Sequence, residues 1–414
     1  MRASRLLCGM AVLLVPLLVA CTTVPEPESA VQRPTPTPTV QPVQTDSVEA
    51  LLASMTLREK VGQLFMVRPD ALDPDLPQSV IDDDKAEGVQ QLGDAMRQTL
   101  RQYPVGGICQ FGKNIADPEQ ITRFNADLQA ASEIPLLIAV DEEGGRVARL
   151  ARNPAFSLPQ YESALAVGQT GNLQTAMQMG ETIGGYLRKY GFTMDFAPVA
   201  DVWSNPENTV IGDRAFSRDA ATAAKMANAM ADGLWKQGIL PTFKHFPGHG
   251  DTAQDSHDGL AYTYRTAEEM RQCEWLPFLQ GAQGKADEHL SAVMVGHIAV
   301  PALDATDTPA SLSAVIVTDL LRREFPNGQD LLIVTDSLAM GAITGQYTPG
   351  QACVQALQAG CDVLLMPNGL SEAFDTVLTA VQDGTVSEER LDESVARILR
   401  YKQQYAGLQA AAGQ

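Results

Sequence analysis

The stretch Leu331-Leu-Ile-Val-Thr-Asp336 is a run of apolar and β-branched residues that ends in a carboxylate. A segment with helical periodicity, Pro349–Ala359, follows it, and another apolar run begins at Asp362. Short apolar runs that alternate with helical segments are typical of strand–helix units whose strands lie parallel in one sheet. The stretch therefore predicts a buried strand with Asp336 at its carboxyl end.

The same alternation continues through most of the chain. Eight runs are candidate strands: Gly62–Val67, Gly106–Gln110, Leu136–Val140, Thr193–Phe196, Leu240–Lys244, Ala292–Val295, Leu331–Thr335 and Asp362–Leu365. Helices are expected at Asp117–Ser132, Leu173–Tyr190, Ala220–Gln237, Pro349–Ala359 and Ser387–Tyr401, the last with Ser387 as its N-cap. Eight units in about 360 residues predict an α/β fold of the (β/α)8 TIM-barrel type, in a single catalytic domain at residues 48–405. A doubly wound open sheet is the alternative, but no GxGxxG or GxxxxGK[ST] motif follows the first run, which disfavours its nucleotide-binding forms.

The N-terminus has the pattern of an export signal. Arg2 and Arg5 precede an apolar run from Leu6 to Ala20 that is short for a membrane span. The run ends in Leu18-Val-Ala-Cys21, typical of a bacterial lipoprotein processing site, although an ordinary signal peptide with a chance cysteine is an alternative. We expect a signal peptide at residues 1–20 and a lipid on Cys21. The protein would then be extracytoplasmic and lipid-anchored to the bacterial cell membrane.

The amino-acid composition predicts which parts of the chain are disordered and which partners are disfavoured. Residues 21–47 are rich in Pro and Thr and predict a disordered stalk, and residues 406–414 are expected to form a flexible tail. The chain is 45% hydrophobic, enough for a sizeable core, and its formal charge of −20 disfavours nucleic acid as a partner. Four cysteines, Cys109, Cys273, Cys353 and Cys361, form no CxxC pair and are expected to be small buried apolar residues. We expect a monomer without a cofactor and leave the disulfide state of these cysteines open.

Polar residues follow five of the predicted strands, where the active sites of barrels of this type lie. They are Asp141-Glu-Glu-Gly-Gly-Arg146, Asp195-Phe-Ala-Pro-Val-Ala-Asp201, Lys244-His245, His297 and Asp336. Since all parallel strands end at one face of the barrel, these segments predict a shared site there. For Asp336 itself, a nucleophile and a helix N-cap are both compatible with the sequence.

The loop Lys244-His-Phe-Pro-Gly-His-Gly-Asp-Thr-Ala-Gln-Asp-Ser-His257 holds three of the five histidines. A metal site is one interpretation, but the spacing matches no HExxH motif, and glycines between ligands preorganise a site poorly, so we expect no metal. Asp255 and His257 are two residues apart and point to the same side of an extended loop. A carboxylate beside an imidazole raises its proton affinity, so the pair predicts a general acid/base unit.

Four stretches together resemble glycoside hydrolase family 3, in its β-N-acetylhexosaminidase branch. They are Asp141–Val147, Asn208–Ser217, Lys244–His257 and Val334–Met340, and the resemblance extends from about Leu57 to Tyr401. It implies retaining hydrolysis of terminal β-linked N-acetylglucosamine through a covalent glycosyl-enzyme on Asp336, with His257 as acid/base assisted by Asp255. It also implies that the sugar is bound by Asp141, Arg149, Arg214, Lys244 and His245.

The chain's C-terminal end and two departures from the family pattern affect which branch of the family and which substrate are expected. The chain ends soon after the eighth run, without room for the second α/β domain that supplies a glutamate acid in many β-glucosidases of the family, which favours the hexosaminidase branch. Ser337 stands where an acidic residue is common, and the long Pro69–Arg101 segment is acidic at Asp82-Asp-Asp84, which leaves the outer subsites open. The expected substrate is an oligosaccharide or muropeptide that contains N-acetylglucosamine. A β-glucosidase, a phosphorylase of the same family and a non-catalytic sugar-binding lipoprotein are the alternatives.

Overall fold

Eight parallel strands form the centre of the computed structural model, which describes residues 46–253, 259–282 and 291–408. The strands are β1 (Phe65–Val67), β2 (Gly107–Gln110), β3 (Leu137–Val140), β4 (Met194–Asp195), β5 (Leu240–Phe246), β6 (Ala292–Val295), β7 (Leu332–Thr335) and β8 (Leu364–Leu365). Each strand from β1 to β7 pairs with its neighbour in chain order, and β8 pairs with β1. A parallel bridge between Val334 and Val363 joins β7 to the residues just before β8. The sheet therefore closes, which confirms the (β/α)8 barrel and excludes the open sheet.

Helices connect the strands, and the predicted ones are confirmed to within a few residues at their ends. The described α-helices are Asp46–Ser54, Leu57–Gln63, Gln78–Ile81, Asp94–Gln102, Pro118–Ala130, Ala164–Gln169, Leu173–Lys189, Ala220–Lys236, Ala267–Gln272, Leu276–Ala282, Gly341–Thr344, Pro349–Ala359, Leu370–Gln382 and Glu388–Tyr405. Short 3₁₀ turns at Pro69–Leu72, Gly112–Asn114, Gly212–Arg214 and Ala310–Leu312 and a π-helix at Val315–Arg322 complete the connections. Ser387 is the N-cap of the last helix, as expected, and its side chain accepts the Arg390 N–H.

The first strand begins later than the sequence predicts, at Phe65 instead of Gly62. Gly62 and Gln63 end the helix Leu57–Gln63, and β1 begins only at Phe65. A capping box starts this helix: Thr56 Oγ1 accepts the Glu59 N–H at 3.3 Å, and Glu59 Oε2 accepts the Thr56 N–H at 2.6 Å. The capped helix therefore continues into residues whose apolar character alone favoured a strand.

Several predictions for the chain ends concern residues that the structure does not describe. Residues 1–45, which include Cys21, and residues 409–414 belong to this group, so the domain boundaries and the lipid remain predictions. The first described helix starts at Asp46, within the segment 21–47 that was expected to be a stalk. In the part of the chain that the structure describes, no helix has the length and apolar character needed to cross a membrane.

The core fills the barrel and the space between strands and helices. Every residue of β2, β3, β6 and β7 is buried, as expected for parallel strands covered on both faces. Cys109, Cys353 and Cys361 are buried and Cys273 is half-buried. No disulfide joins these four described cysteines, and the expectation of small buried residues holds for three of them.

A buried charge cluster fastens the amino end of β8. Asp362 is fully buried and pairs with Arg322, with Arg397 Nη1 at 3.0 Å and with Ser394 Oγ at 2.7 Å. Burial by itself raises the pKa of Asp362, but the neighbouring guanidinium groups outweigh it and hold the pKa below its ordinary value. Asp362 is therefore ionised in the folded protein near neutral pH.

Replacing Asp362 with alanine should lower the free energy of unfolding at pH 7 by about 3–5 kcal/mol, because Arg322 and Arg397 would lose their buried counter-ion. Urea unfolding measures this loss. Since the folded pKa is depressed, the carboxylate stabilises the fold above its unfolded pKa of about 3.9 and loses this effect as the pH falls through the folded pKa. The difference between wild type and variant should therefore shrink in acid.

The matched control is Asp319→Ala, which removes an exposed ion pair with Arg323. Its effect should stay below about 0.5 kcal/mol. Equal losses in the two variants would contradict the role assigned to the buried cluster.

Candidate active site

A cavity of about 370 Å³ lies at the carboxyl ends of the barrel strands. Its lining includes six of the side chains predicted from sequence: Asp141, Arg149, Arg214, Lys244, His245 and Asp336. Asp141 follows β3, Lys244 and His245 lie near the end of β5, and Asp336 follows β7. Arg149 and Arg214 lie in the connections after β3 and β4. The barrel thus brings together residues up to 195 positions apart in the chain, from Asp141 to Asp336. The other two predicted catalytic residues, Asp255 and His257, lie outside the described residues, and their roles remain predictions.

Lys244 is the centre of a buried ion cluster. Its Nζ lies 2.7 Å from Asp141 Oδ1 and 2.7 Å from Glu143 Oε1. Glu143 in turn accepts two hydrogen bonds from Arg214, from Nε at 2.8 Å and from Nη2 at 2.7 Å. Arg149 Nη2 lies 3.6 Å from the second oxygen of Asp141. Positive and negative groups thus alternate along this wall of the cavity.

The cluster keeps its members charged. Burial raises the pKa of Glu143, but Arg214 and Lys244 outweigh it and bring the pKa far below its ordinary value. Burial lowers the pKa of Lys244, but Asp141 and Glu143 outweigh it and leave the pKa above its ordinary value. Because the partners already fix these groups, little reorganisation is needed when a polar ligand binds.

The turn that carries Arg149 is held by the buried carboxylate of Glu142. Its Oε2 accepts the backbone N–H groups of Arg149 at 2.6 Å and Leu150 at 2.9 Å. Its Oε1 accepts the N–H of Ala151 and the hydroxyl of Tyr186, both at 2.8 Å. Glu142 therefore supports the position of Arg149 from behind the cavity.

A buried asparagine fixes the loop that carries Arg214. Asn208 Oδ1 accepts the Ile211 N–H at 2.8 Å, just before the 3₁₀ turn Gly212–Arg214. Asn208 Nδ2 donates to the carbonyl oxygens of His249 at 2.7 Å and Thr252 at 2.9 Å. The Arg214 loop is thereby tied to the histidine loop after β5.

Lys244 and His245 both line the cavity although they are adjacent in sequence. In a regular strand adjacent side chains point to opposite faces, but the pairing of β5 with β6 shifts register between Phe243 and Phe246. The peptide bond between Lys244 and His245 is cis, as are those before Pro198 and Pro247.

Asp201 is a fully buried carboxylate that orients His245. Its Oδ2 lies 2.7 Å from His245 Nδ1, and its Oδ1 accepts the His249 N–H at 2.7 Å. A carboxylate acceptor fixes the proton on Nδ1 and so presents Nε2 as the ring nitrogen for a ligand. Burial, followed by the charge of His245, lowers the pKa of His249, which favours its neutral form.

Asp336 is held in place by its backbone neighbours. Its N–H donates to Val295 O at 2.8 Å, and its Oδ1 accepts the Ser337 N–H at 2.7 Å. His297 is buried beside it, donates from Nε2 to the Ser337 carbonyl at 2.8 Å and accepts from Ser311 Oγ at Nδ1, also at 2.8 Å. His297 thus has a supporting position and does not line the cavity. The N-cap interpretation of Asp336 is wrong, because the next helix begins at Gly341 with Met340 as its N-cap.

Glu143 and Asp201 belong to the strand-end segments, but the sequence alone does not predict that they are part of the site. Alternation along an extended segment places Asp141 and Glu143 on the same side, so the pattern contained a signal for Glu143. Asp201 and Asn208 act through buried hydrogen bonds to distant segments, for which the sequence has no local signal. Within the described ranges, which do not include Asp255 and His257, no group of three or more His, Cys, Asp and Glu side chains is arranged to hold a metal ion.

A closed parallel barrel with a polar cavity at the carboxyl ends of its strands defines a protein of the (β/α)8 barrel class. The family model described as "Glycosyl hydrolase family 3 N terminal domain" matches residues 56–401. The chain belongs to glycoside hydrolase family 3.

Among relatives, the chain is 33% identical to "Beta-hexosaminidase LpqI" of Mycobacterium tuberculosis, an alignment that covers 88% of each chain. It is also 33% identical to "Beta-hexosaminidase A" of Pseudoalteromonas piscicida, over 74% of this chain and 54% of that protein, so it spans about half the length of that relative. Among solved structures, a family 3 β-N-acetylglucosaminidase from Paenibacillus sp. str. FPU-7 is similar with a TM-score of 0.76 and 35% identity. That similarity covers 87% of this chain and 65% of the other.

Proposed function

We propose that the protein is a retaining β-N-acetylhexosaminidase that releases terminal β-linked N-acetylglucosamine from oligosaccharides or muropeptides. Asp336 is the nucleophile, and His257, assisted by Asp255, is the acid/base. The main support is that Asp336 lines the same cavity as the Lys244 ion cluster. The names of the related β-hexosaminidases and of the similar β-N-acetylglucosaminidase structure add support for the substrate class.

The cavity suits one pyranose ring better than an internal segment of a glycan. At about 370 Å³ it is at the lower end of the range of roughly 300–1,000 Å³ for small-molecule sites. Asp141 offers carboxylate oxygens to sugar hydroxyl groups, while Arg149, Arg214, Lys244 and His245 offer N–H donors. Charge-assisted hydrogen bonds of this kind hold a polyhydroxylated ring in one orientation.

The proposed reaction has two displacements at the anomeric carbon. In the first, the Asp336 carboxylate forms a bond to this carbon while the glycosidic bond breaks and His257 protonates the leaving oxygen. In the second, water attacks the same carbon and gives a proton to His257, and the bond to Asp336 breaks. Two inversions give net retention. Neither protonation state of an imidazole is negative, so His257 does not repel the Asp336 carboxylate of the free enzyme as a second carboxylate would.

Export and anchoring are part of the proposal. The segment Leu18-Val-Ala-Cys21 supports cleavage of residues 1–20 and a lipid on Cys21, with residues 21–47 as a stalk before the barrel at 48–405 and a tail at 406–414. At roughly 3 Å per residue, an extended stalk would hold the barrel up to roughly 75 Å from the lipid. Loss of membrane association in Cys21→Ser tests the anchor.

The function is tested with 4-nitrophenyl β-glycosides of N-acetylglucosamine, N-acetylgalactosamine and glucose, each with and without phosphate. The N-acetylglucosaminide should be the best substrate, with the free sugar as product in both conditions. A preference for the glucoside would support the β-glucosidase alternative. A sugar 1-phosphate that forms when phosphate is present would support a phosphorylase, and binding without turnover would support a sugar-binding protein.

A further inference from the structure

The connection after β1 forms an acidic wall of the cavity. Three of its residues, Arg68, Asp82 and Asp84, line the cavity beside the sugar-binding cluster. We use the name β1 wall for residues 68–92. No role in the reaction proposed above has been assigned to it.

The base of the β1 wall is fastened by a buried carboxylate. Asp70 is fully buried, and its Oδ1 accepts the Val89 N–H at 3.1 Å near the far end of the segment. Its Oδ2 accepts Asn114 Nδ2 at 2.8 Å, in the connection after β2. Both ends of the wall are thereby held against the neighbouring barrel segment.

Two cations fix the acidic turn from below. Lys113 Nζ donates to the carbonyl oxygens of Val80 and Ile81, both at 2.8 Å, and to that of Asp83 at 3.2 Å. Arg68 Nη1 donates to Ile81 O at 3.1 Å and to Asp84 Oδ1 at 2.7 Å. The Arg68 guanidinium also lies 3.8 Å from the ring centre of Phe111. The Asp82–Asp84 turn is therefore held by contacts from the residues that follow β1 and β2.

These contacts leave a negative surface toward the cavity. The negative charge of Asp84 offsets the positive charge of Arg68 in an ion pair, and Lys113 donates its hydrogen bonds to carbonyl groups beneath the turn. Asp82, half-buried, accepts Gln78 Nε2 at 3.0 Å and adds a further carboxylate to the lining. Asp83 is exposed, as is Asp84, but it differs from Asp84 in that it does not line the cavity, and its carboxylate accepts the Lys85 N–H at 2.9 Å.

The barrel order places the β1 wall relative to the reaction. In a closed ring of eight strands in chain order, β1 lies opposite β5. The proposed acid, His257, belongs to the connection after β5, so the leaving oxygen is expected on that side. The β1 wall then faces the remote edge of the terminal sugar, which carries O4 and O6. This placement rests on the proposed function.

We propose that Asp82 and Asp84 are specificity-determining residues that select terminal sugars with an uncharged O4 and O6 edge. A hydroxyl group can donate a hydrogen bond to either carboxylate. A sulfate or phosphate ester on O6 would place a second negative charge against them at short range, where water screens it only partly. Repulsion between these carboxylates and the ester is enough to disfavour the charged sugar, without any additional attractive contact to the uncharged one.

The test compares 4-nitrophenyl 6-sulfo-N-acetyl-β-glucosaminide with the unsulfated glycoside, as the ratio of their kcat/KM values. Wild type should disfavour the sulfated substrate by about a hundredfold, and Asp82→Asn should reduce this discrimination by about tenfold. Asp84→Asn should reduce it further, because it also frees the charge of Arg68. Asp83→Asn is the matched control, with the same change of charge in the adjacent residue, and should leave the ratio within about twofold of wild type.

The inference is overturned if wild type hydrolyses both substrates equally well, or if neither Asp82→Asn nor Asp84→Asn changes the ratio. An equal change in Asp83→Asn would also overturn it, because a general effect of loop charge would then explain the result. Thermal unfolding shows whether a variant is folded. If Asp82→Asn or Asp84→Asn is misfolded, the kcat/KM ratio of the other variant tests the inference. Failure of the proposed function is distinct, since the unsulfated N-acetylglucosaminide would then not be hydrolysed at all.

Discussion

Replacing Asp336 with alanine should lower kcat/KM for 4-nitrophenyl N-acetyl-β-glucosaminide by a factor on the order of 10⁴ or more. Among the described cavity carboxylates, Asp141 and Glu143 are paired with Lys244 and are poorly placed to act as nucleophiles instead. The fold should survive, because the bond from the residue 336 N–H to Val295 O involves only backbone. Initial rates, with thermal unfolding as the control for folding, measure the effect.

Azide makes this test specific for the nucleophile. In Asp336→Ala, a small anion can occupy the space of the lost carboxylate and attack the anomeric carbon directly. One inversion then gives the α-glycosyl azide, in contrast to the β-configured product of the two-step reaction. Ordinary activity in the variant without azide would refute the assignment of Asp336.

Replacing His257 with alanine should have the second largest effect, and the loss should depend on the leaving group. For poor leaving groups, such as the second sugar of a disaccharide, we expect a loss of roughly 10²–10⁴-fold, because the leaving oxygen needs a proton as the bond breaks. For 2,4-dinitrophenol, which leaves as a stable anion, the first step should be nearly unaffected. A series of aryl glycosides measures this effect: kcat/KM should fall more steeply with increasing leaving-group pKa in His257→Ala than in wild type.

His245 provides the matched comparison, since it is also an imidazole paired with a carboxylate, Asp201. We assign it to binding the sugar, so His245→Ala should lower kcat/KM by a similar factor for every leaving group. If His245→Ala showed the steep dependence and His257→Ala did not, the acid role would move to the His245–Asp201 pair.

The barrel could be predicted from sequence because its signal is repeated eight times. An error in the bounds of one strand, such as the predicted start of β1 at Gly62, does not change the number of strands. Asp141, Lys244, His245 and Asp336 could be placed in one site because the carboxyl ends of parallel strands meet at one face. Arg149 and Arg214 required the family resemblance, since nothing local indicates where the connections that carry them fold.

The remaining features depend on contacts between distant segments. Glu143 is important because Arg214, 71 residues away, and Lys244 reach it in the folded chain. The acidic run Asp82-Asp-Asp84 looks uniform in sequence, yet only its first and last members line the cavity. That difference arises from Lys113 and Arg68, which set the orientation of the turn, and it could not be derived from composition or spacing.

The central claim is that a glycosyl-enzyme forms on Asp336. Incubation with 5-fluoro-N-acetyl-β-glucosaminyl fluoride, whose fluorine slows the second step, should trap this species in the wild-type protein. Proteolysis and fragmentation by mass spectrometry should then locate one added sugar on the Asp336 side chain. A sugar attached to another residue, or turnover that gives an inverted product without any adduct, would contradict the account.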